Sequence, residues 1–524
     1  MNLHGKNIIG YQLSATGKHS FRASDPARGT MLETAFYSAT GEEINLAMKK
    51  AREAAIPFAS SNLEERAILL ERIANRLEES AAQLIAVGMA ETGLPEGRLV
   101  SELGRTTGQI RMFARLVREG HWTEAVIDHG DPSRQPLPKP DIRRMLVPIG
   151  PVVVFGAGNF PLAFSVAGGD TISALAAGNP VVVKAHPGHP GTSETAAMAI
   201  LEGCRDSRMP DGTFSMLHDI GFQVGQQLVT HTDTEAVTFT GSYAGGKALF
   251  DLANSRPRPI PLFAEMGSVN PVFILPESLK TAASTWGAKL AQSVTLGAGQ
   301  FCTNPGLIFV VEGDGLQNFM DTLTDQIRNW APQPMLSDKI ADHFLEAREE
   351  IRNRKWAELI AESESAAGVN RPGAAIGAVT GEHYAKHPRL SEELFGPFSL
   401  VVICKSVEEM SSLAANLEGQ LTATLIAHAD ELTAHSSLLA ILGTKAGRIL
   451  FNGVPTGVEV GHAMQHGGPF PASTDSRFTS VGTGAIRRFL RPVAFQDFPN
   501  SLLPEALKDD NPLNIRRLIN GIWT

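Results

Sequence analysis

Three short apolar runs limit what this chain can fold into more than any other feature. Val152-Val153-Val154-Phe155, Val181-Val182-Val183-Lys184 and Ala236-Val237-Thr238-Phe239-Thr240 are apolar or β-branched at nearly every position. That is the texture of strands covered on both faces. The roughly 25 to 50 residues between them are too many for hairpins and suit crossover helices. The pattern predicts a doubly wound α/β domain, with a ligand at the carboxyl ends of its strands. A second α/β unit is expected from near Glu265 to about Gly484, with strands at Val272–Leu275, Leu307–Val311 and Leu400–Ile403. Gly41 to Arg118 reads as helical, and a connector with four prolines, 131–140, reads as extended. Arg487–Phe495 and Asp141–Val147 share a basic and apolar mix; both read as exposed strands that pair with each other or with a partner subunit. A chain of 524 residues exceeds what one core organises, so two or three domains are expected.

Composition narrows the functional classes. A net charge of -9 and a pI near 5.9 argue against a nucleic-acid footprint. The polar start carries no apolar signal region, and the most apolar run, Met145 to Ala157, is short and broken by Pro148 and Pro151. Three distant cysteines, Cys204, Cys302 and Cys404, do not form a disulfide framework. The expectation is a cytoplasmic enzyme with no nucleic-acid or membrane partner. No metal is expected either: H-E-x-x-H and C-x-x-C are absent, and His186 with His189, or His462 with His466, would meet at an ion only by accident of folding.

Several residues can carry chemistry. Cys302 follows Gly297-Ala298-Gly299-Gln300-Phe301, where glycines leave the backbone uncrowded for a substrate carbonyl and a planar cofactor. Taken alone, a cysteine among apolar residues is more often a small buried hydrophobe, and Cys204 and Cys404 keep that reading. Glu265, alone in an apolar stretch, must be solvated, paired or shifted in pKa, and a partly desolvated glutamate can act as a general base. Asn159 in Gly156-Ala157-Gly158-Asn159-Phe160-Pro161 can donate its amide to an oxyanion, or be a simple turn residue. Gly241-Ser242 follows a strand and opens a helix, a place that suits a phosphate. Lys184 ends a strand, where a cation can hold ribose hydroxyls; most such lysines are only solvated charges.

In order and spacing, Asn159-Phe160-Pro161, the Lys184 strand end, Phe239-Thr240-Gly241-Ser242, Glu265-Met266-Gly267, Gly299-Gln300-Phe301-Cys302 and Glu392-Glu393-Leu394-Phe395-Gly396-Pro397 resemble the aldehyde dehydrogenase superfamily over roughly residues 25 to 500. Lys184-Ala185-His186-Pro187 and His466-Gly467-Gly468-Pro469 look most like the 2-oxoglutaric semialdehyde (2,5-dioxopentanoate) dehydrogenases within it. The resemblance implies a dinucleotide-binding domain (1–130 and 148–264), a catalytic domain (265–484) and a small β oligomerisation arm (131–147 and 485–510). It implies Cys302 as nucleophile, Asn159 and the Cys302 N–H as oxyanion donors, and Glu265 as the base that hydrolyses a thioester. Lys184 and Glu393 would hold the two riboses of NAD or NADP, Gly241 and Ser242 the pyrophosphate, and Phe395 the nicotinamide end. Gly221 and Gly225 would let the cofactor lie close to the backbone. Two departures stand out. Pro187 occupies the position where NAD-specific members carry a glutamate that repels a 2′-phosphate, so NADP is expected to be accepted, with NAD also usable. Ser268-Val269 replaces the more common Gly-Lys and is expected to mark only the subgroup.

The reading that follows is oxidation of a short aldehyde bearing a carboxylate, with a medium- or long-chain fatty aldehyde as the alternative. Transfer to coenzyme A is disfavoured because Glu265 serves hydrolysis. The segments expected to line the substrate funnel, 160–166, 293–301 and 451–470, hold no Arg or Lys, which leaves Arg111 or Arg477 to reach a carboxylate. A homodimer or homotetramer is expected.

Overall fold

The three apolar runs are neighbouring parallel strands in a computed structural model that describes residues 3–524. Val152–Phe155 pairs with Val181–Lys184 on one side and Ala236–Thr240 on the other. Phe214–Leu217 and Leu262–Glu265 continue the parallel array, and Asn7–Ile9 with Gln12–Ser14 close one edge antiparallel. The apolar identity of every position has a direct cause. Val152, Val154, Val181 and Val183 bury into one core cluster, whereas Val153, Val182 and Val237 bury into another on the opposite face. Going outward from Val152–Phe155, the chain runs through Val181–Lys184 one way and Ala236–Thr240 the other. The carboxyl ends of these strands therefore open a crevice at a topological switch point, where ligands of such sheets bind.

The second sheet is built the same way. Six parallel strands run in the order Ala375–Thr380, Phe398–Cys404, Leu307–Val311, Val272–Ile274, Gln420–Ile426 and Ala446–Phe451, with Glu358–Glu362 antiparallel at one edge. Phe273 and Phe309 face one core and Val272, Ile274 and Ile308 the other. Strand Gln420–Ile426 is buried throughout, and its Thr422 and Thr424 disguise it as a polar stretch in the sequence. After Phe451 the chain returns to the first sheet: the Met266 N–H donates to Ala472 O and the Thr474 N–H to Ala264 O. The turn Thr483–Phe489 also packs on helix Gly169–Ala177, where Arg488 binds Asp170 at 2.6 Å. Residues from both units thus meet at the end of strand Leu262–Glu265.

A third sheet pairs Ile142–Pro148 with Leu490–Gln496 in full antiparallel register, one of the two pairings that their shared composition suggested. Val126–Asp128 and the C-terminal strands Leu518–Ile519 and Ile522–Trp523 extend it. The helical stretch of the sequence is four helices, Gly41–Ala59, Leu63–Glu79, Ala81–Thr92 and Glu96–Glu119. The first two open on reciprocal caps, Thr40 with Glu43 and Asn62 with Glu65, and the fourth stops at Gly120 in left-handed conformation. Among the described residues, no helix is long and apolar enough to cross a membrane.

Candidate active site

Cys302 sits on a loop whose backbone is held from three sides. Gly297, Ala298 and Gly299 all have positive φ, so the chain coils tightly before the thiol. A side chain at Gly299 would lie 2.1 Å from Gly396 O. The glycine thus brings the cysteine loop against the loop bearing Glu393 and Phe395. The expected open approach for ligands is filled there by protein. Asn270, itself at φ 44°, donates its amide to Cys302 O at 2.8 Å and Asn304 O at 2.9 Å, fixing the far side of the loop. Asn159 Nδ2 donates to Gln300 O at 3.1 Å, so its amide points at the cysteine loop from the end of strand Val152–Phe155. That turn is braced from behind: the His186 ring occupies the space beside Gly158, stacks on His189, and His189 Nε2 lies 2.8 Å from Ala157 O.

Glu265, His466 and Cys302 form a compact cluster. His466 Nε2 is 3.5 Å from Cys302 Sγ and 2.9 Å from Glu265 Oε1. Ser480 donates its hydroxyl to Glu265 Oε2 at 2.7 Å. Burial and the neighbouring Glu265 carboxylate push the Cys302 thiol well up. Burial also works to raise the Glu265 carboxyl, but His466, Ser480 and Cys302 together outweigh it and hold it below the usual range. A thiol pushed up thus stands beside a carboxylate held down, with the His466 ring within reach of both. His466 was legible only as part of a subgroup motif. Its placement, 164 positions from Cys302, depends on the return of the chain to the first sheet.

The other expected positions gather around the crevice of the first sheet. Lys184 is buried, its Nζ donates to Asp219 O at 3.1 Å, and burial pushes its pKa down to about 8. Asp219 accepts from Gly221 N, which fixes Gly221, and from Val224 N in the first turn of helix Gln223–Thr230. Gly225 leaves the space that the Phe155 ring fills, and Gly241 does the same for Phe239. Both glycines thus set the aromatic floor of the crevice. Ser242 caps helix Tyr243–Asn254, whose exposed first turn lies at the switch point, a geometry that suits a pyrophosphate. Glu393 lies over Gly267, where any side chain would meet its carboxylate at 2.3 Å, and Phe395 is half-buried behind it. A buried cation, a helix N-terminus and an exposed carboxylate along one crevice fit an NAD(P) dinucleotide. The Ser268 hydroxyl donates to Gln420 Oε1 at 2.8 Å, which ties the Glu265 loop to the second sheet.

On the opposite side of Cys302 lies a cavity of about 820 Å³ lined by Phe160, Phe164, Phe301, Trp330, Arg98 and Arg105, with Glu459 at its wall. The carboxylate-binding candidates from sequence are not there: Arg111 pairs with Glu78 and Arg477 with Asp475 at the surface. Arg98 and Arg105 come from helix Glu96–Glu119, two turns apart and so on one face. Arg98 lies over Phe160 at 4.3 Å and Phe301 at 4.9 Å, and binds Glu102 at 3.2 Å. Glu102 in turn accepts from the backbone of Leu162 and Ala163, both at 2.9 Å, coupling this helix to the Asn159 turn. Arg105 lies over Phe164 at 5.1 Å. The helical stretch contains many surface arginines, and only the packing of this helix on the Asn159 turn separates these two from the rest.

Comparison with known proteins agrees with this arrangement. The aldehyde dehydrogenase family model matches residues 13–480. Alpha-ketoglutaric semialdehyde dehydrogenase 2 of Azospirillum brasilense is 45% identical over 522 residues, 99% of each chain. Alpha-ketoglutaric semialdehyde dehydrogenase of Acinetobacter baylyi is 44% identical, again over 99% of both. Among solved structures, gamma-glutamyl-gamma-aminobutyraldehyde dehydrogenase from Burkholderia cenocepacia superposes with a TM-score of 0.81 at 21% identity, covering 95% of this chain and 97% of that one. A 1-pyrroline-5-carboxylate dehydrogenase from Thermus with bound NAD gives a TM-score of 0.80 at 20% identity, covering 94% and 92%. The chain belongs to the aldehyde dehydrogenase family, enzymes that oxidise aldehydes with NAD(P)+.

Proposed function

We propose that this chain oxidises 2-oxoglutaric semialdehyde to 2-oxoglutarate. The observation that carries this reading is Arg105. It is largely buried, burial pushes its pKa down, and among the described residues no carboxylate lies within ion-pair distance of it. Its contacts are the Val458 carbonyl at 3.4 Å and the Phe164 face. Glu102 and Glu459 act on Arg105 only from beyond ion-pair distance, so a largely buried cation keeps donors for a carboxylate of the ligand. Arg105 and Cys302 line the same cavity, so both belong to one small region. In an extended five-carbon semialdehyde the aldehyde and carboxylate carbons are about 5 Å apart, from C–C bonds of about 1.5 Å. The names of the two relatives at 44 and 45% identity support the same substrate. The aromatic wall of Phe160, Phe164, Phe301 and Trp330 favours the second reading, a longer apolar aldehyde.

The mechanism follows from the cluster. His466 Nε2 takes the thiol proton of Cys302, whose thiolate attacks the aldehyde carbon. Asn159 spends one amide hydrogen on Gln300 O and has a second for the oxyanion, beside the Cys302 backbone N–H. Bound NAD(P)+ supplies the acceptor for the hydride. Glu265, with Oε2 held by Ser480, uses Oε1 to deprotonate the water that releases the acid from the thioester.

Replacing Arg105 by Leu is expected to raise KM for the semialdehyde by about 100-fold, from the loss of a charge-assisted contact of about 2–3 kcal/mol. The KM of a medium-chain alkanal should stay near its parent value or fall. A substrate panel followed by NAD(P)H absorbance checks this, and equal effects on both substrates would overturn the reading. For the cofactor, we infer that NADP+ binds at least as well as NAD+. Pro187 offers no carboxylate, and Asp219, next to Lys184, has both oxygens engaged by backbone N–H groups. Fluorescence titration should give NADPH a Kd no weaker than that of NADH; a Kd more than about tenfold weaker, some 1.4 kcal/mol, would refute the inference. A homodimer or homotetramer is proposed because strands Leu490–Gln496 and Ala446–Phe451 leave unpaired sheet edges, the latter with Ile449 and Phe451 exposed.

A further inference from the structure

The cluster at the thiol has a second chemical character. Cys302 Sγ, His466 Nε2 and a Glu265 carboxylate oxygen all lie within 4.8 Å of one another, a soft, a borderline and a hard donor facing one point. Two ligands at ordinary Zn–S and Zn–N bond lengths around one tetrahedral ion are about 3.5 Å apart. Sγ and Nε2 are 3.5 Å apart as they stand. Nitrogen and oxygen ligands need about 3.3 Å, so the carboxylate has to withdraw by only about 0.4 Å from its 2.9 Å contact with His466.

A separate observation says that the donors are aimed at something. Glu265 is 4% exposed and its Oε1 has no hydrogen-bond partner. His466 Nε2 stands 2.9 Å away and acts on the carboxylate foremost through its charge. A buried carboxylate oxygen with no donor is costly unless a water or a cation completes it. The 820 Å³ cavity reaches Cys302 and supplies a route in from solvent. Ser480 holds the other carboxylate oxygen, as an outer partner of a metal ligand does.

We propose that Cys302, His466 and Glu265 form a reversible inhibitory site for Zn2+, three protein ligands with a fourth position open to water from the substrate cavity. On binding, the thiol proton of Cys302 leaves to solvent as the S–Zn bond forms, and no electrons are transferred. The bound ion blocks attack on the aldehyde and shields the sulfur from oxidants and alkylating agents. Zinc inhibition is therefore competitive with aldehyde and relieved by a chelator.

Co2+ tests the site optically, because a cobalt–thiolate bond has a charge-transfer band in the near ultraviolet. Titrating the cofactor-free enzyme with Co2+ should give one equivalent of that band, and Zn2+ should bleach it. In the same enzyme Zn2+ should stop alkylation of Cys302 by iodoacetamide, read by mass spectrometry, and EDTA should restore full activity. Cys302→Ser should lose the band. His466→Ala should weaken Zn2+ by more than the roughly 10–100-fold typical of losing only an outer partner. Because alkylation is read in the unaltered protein, the test survives a variant that fails to fold. A cobalt complex without a thiolate band, an unchanged alkylation rate, inhibition that EDTA does not reverse, or equal zinc affinity in His466→Ala would each overturn the proposal.

Discussion

Cys302→Ser is expected to lower kcat by on the order of 10⁴ or more while cofactor affinity stays unchanged. A serine hydroxyl is far harder to deprotonate than a thiol, and the structure makes even the thiol reluctant: burial and Glu265 already push it up. His466 at 3.5 Å cannot close that larger gap for a hydroxyl. No other thiol can stand in, since Cys204 and Cys404 are buried in the cores at 1% and 0% exposure. Lys184, Ser242 and Glu393 are untouched by the change, so NADPH fluorescence titration should give the parent Kd. Turnover surviving within tenfold of the parent would remove Cys302 as the nucleophile.

Glu265→Gln is expected to separate the two halves of the reaction. The amide keeps the size of the carboxylate and can still accept from Ser480, but it cannot take a proton from water. Thiol attack and hydride transfer should proceed once, giving a burst of about one NAD(P)H per site. Steady-state turnover should fall by about 10²- to 10⁴-fold, the usual worth of a general base. Rapid-mixing absorbance reads the burst, and intact-mass spectrometry should detect the acyl-enzyme on Cys302. If the first turnover slows as much as the later ones, Glu265 acts before the thioester, and the division of labour between it and His466 must be redrawn.

Much of this was legible in the sequence for identifiable reasons. The strand runs read clearly because two-sided burial demands apolar residues at every position, as at Val152–Phe155. Strand Gln420–Ile426 did not, because its buried threonines look polar in one dimension, and the partner of the Thr422 hydroxyl, Asn270 Oδ1, lies 152 positions away. Cys302, Glu265 and Asn159 stood out only as parts of an ordered set of motifs, and the structure brings all three together at the end of the first sheet. The two arginines offered for a substrate carboxylate do not reach the cavity. Arg111 and Arg477 have acidic neighbours that hold them at the surface, whereas Arg98 and Arg105 face inward only because Glu102 ties their helix to the Leu162 and Ala163 amides.

The sequence alone determined the fold class, because burial on both faces of a strand is written into every one of its positions. Cys302, Glu265 and Ser242 each keep a bland reading in isolation and are recognised only as members of an ordered set of motifs. Tertiary structure alone decided what surrounds the thiol. His466 reaches it across 164 positions, and Arg98 and Arg105 reach the cavity from a helix near the start of the chain. Their roles depend on which side chains are desolvated together, a property of the packed molecule and of no stretch of residues within it.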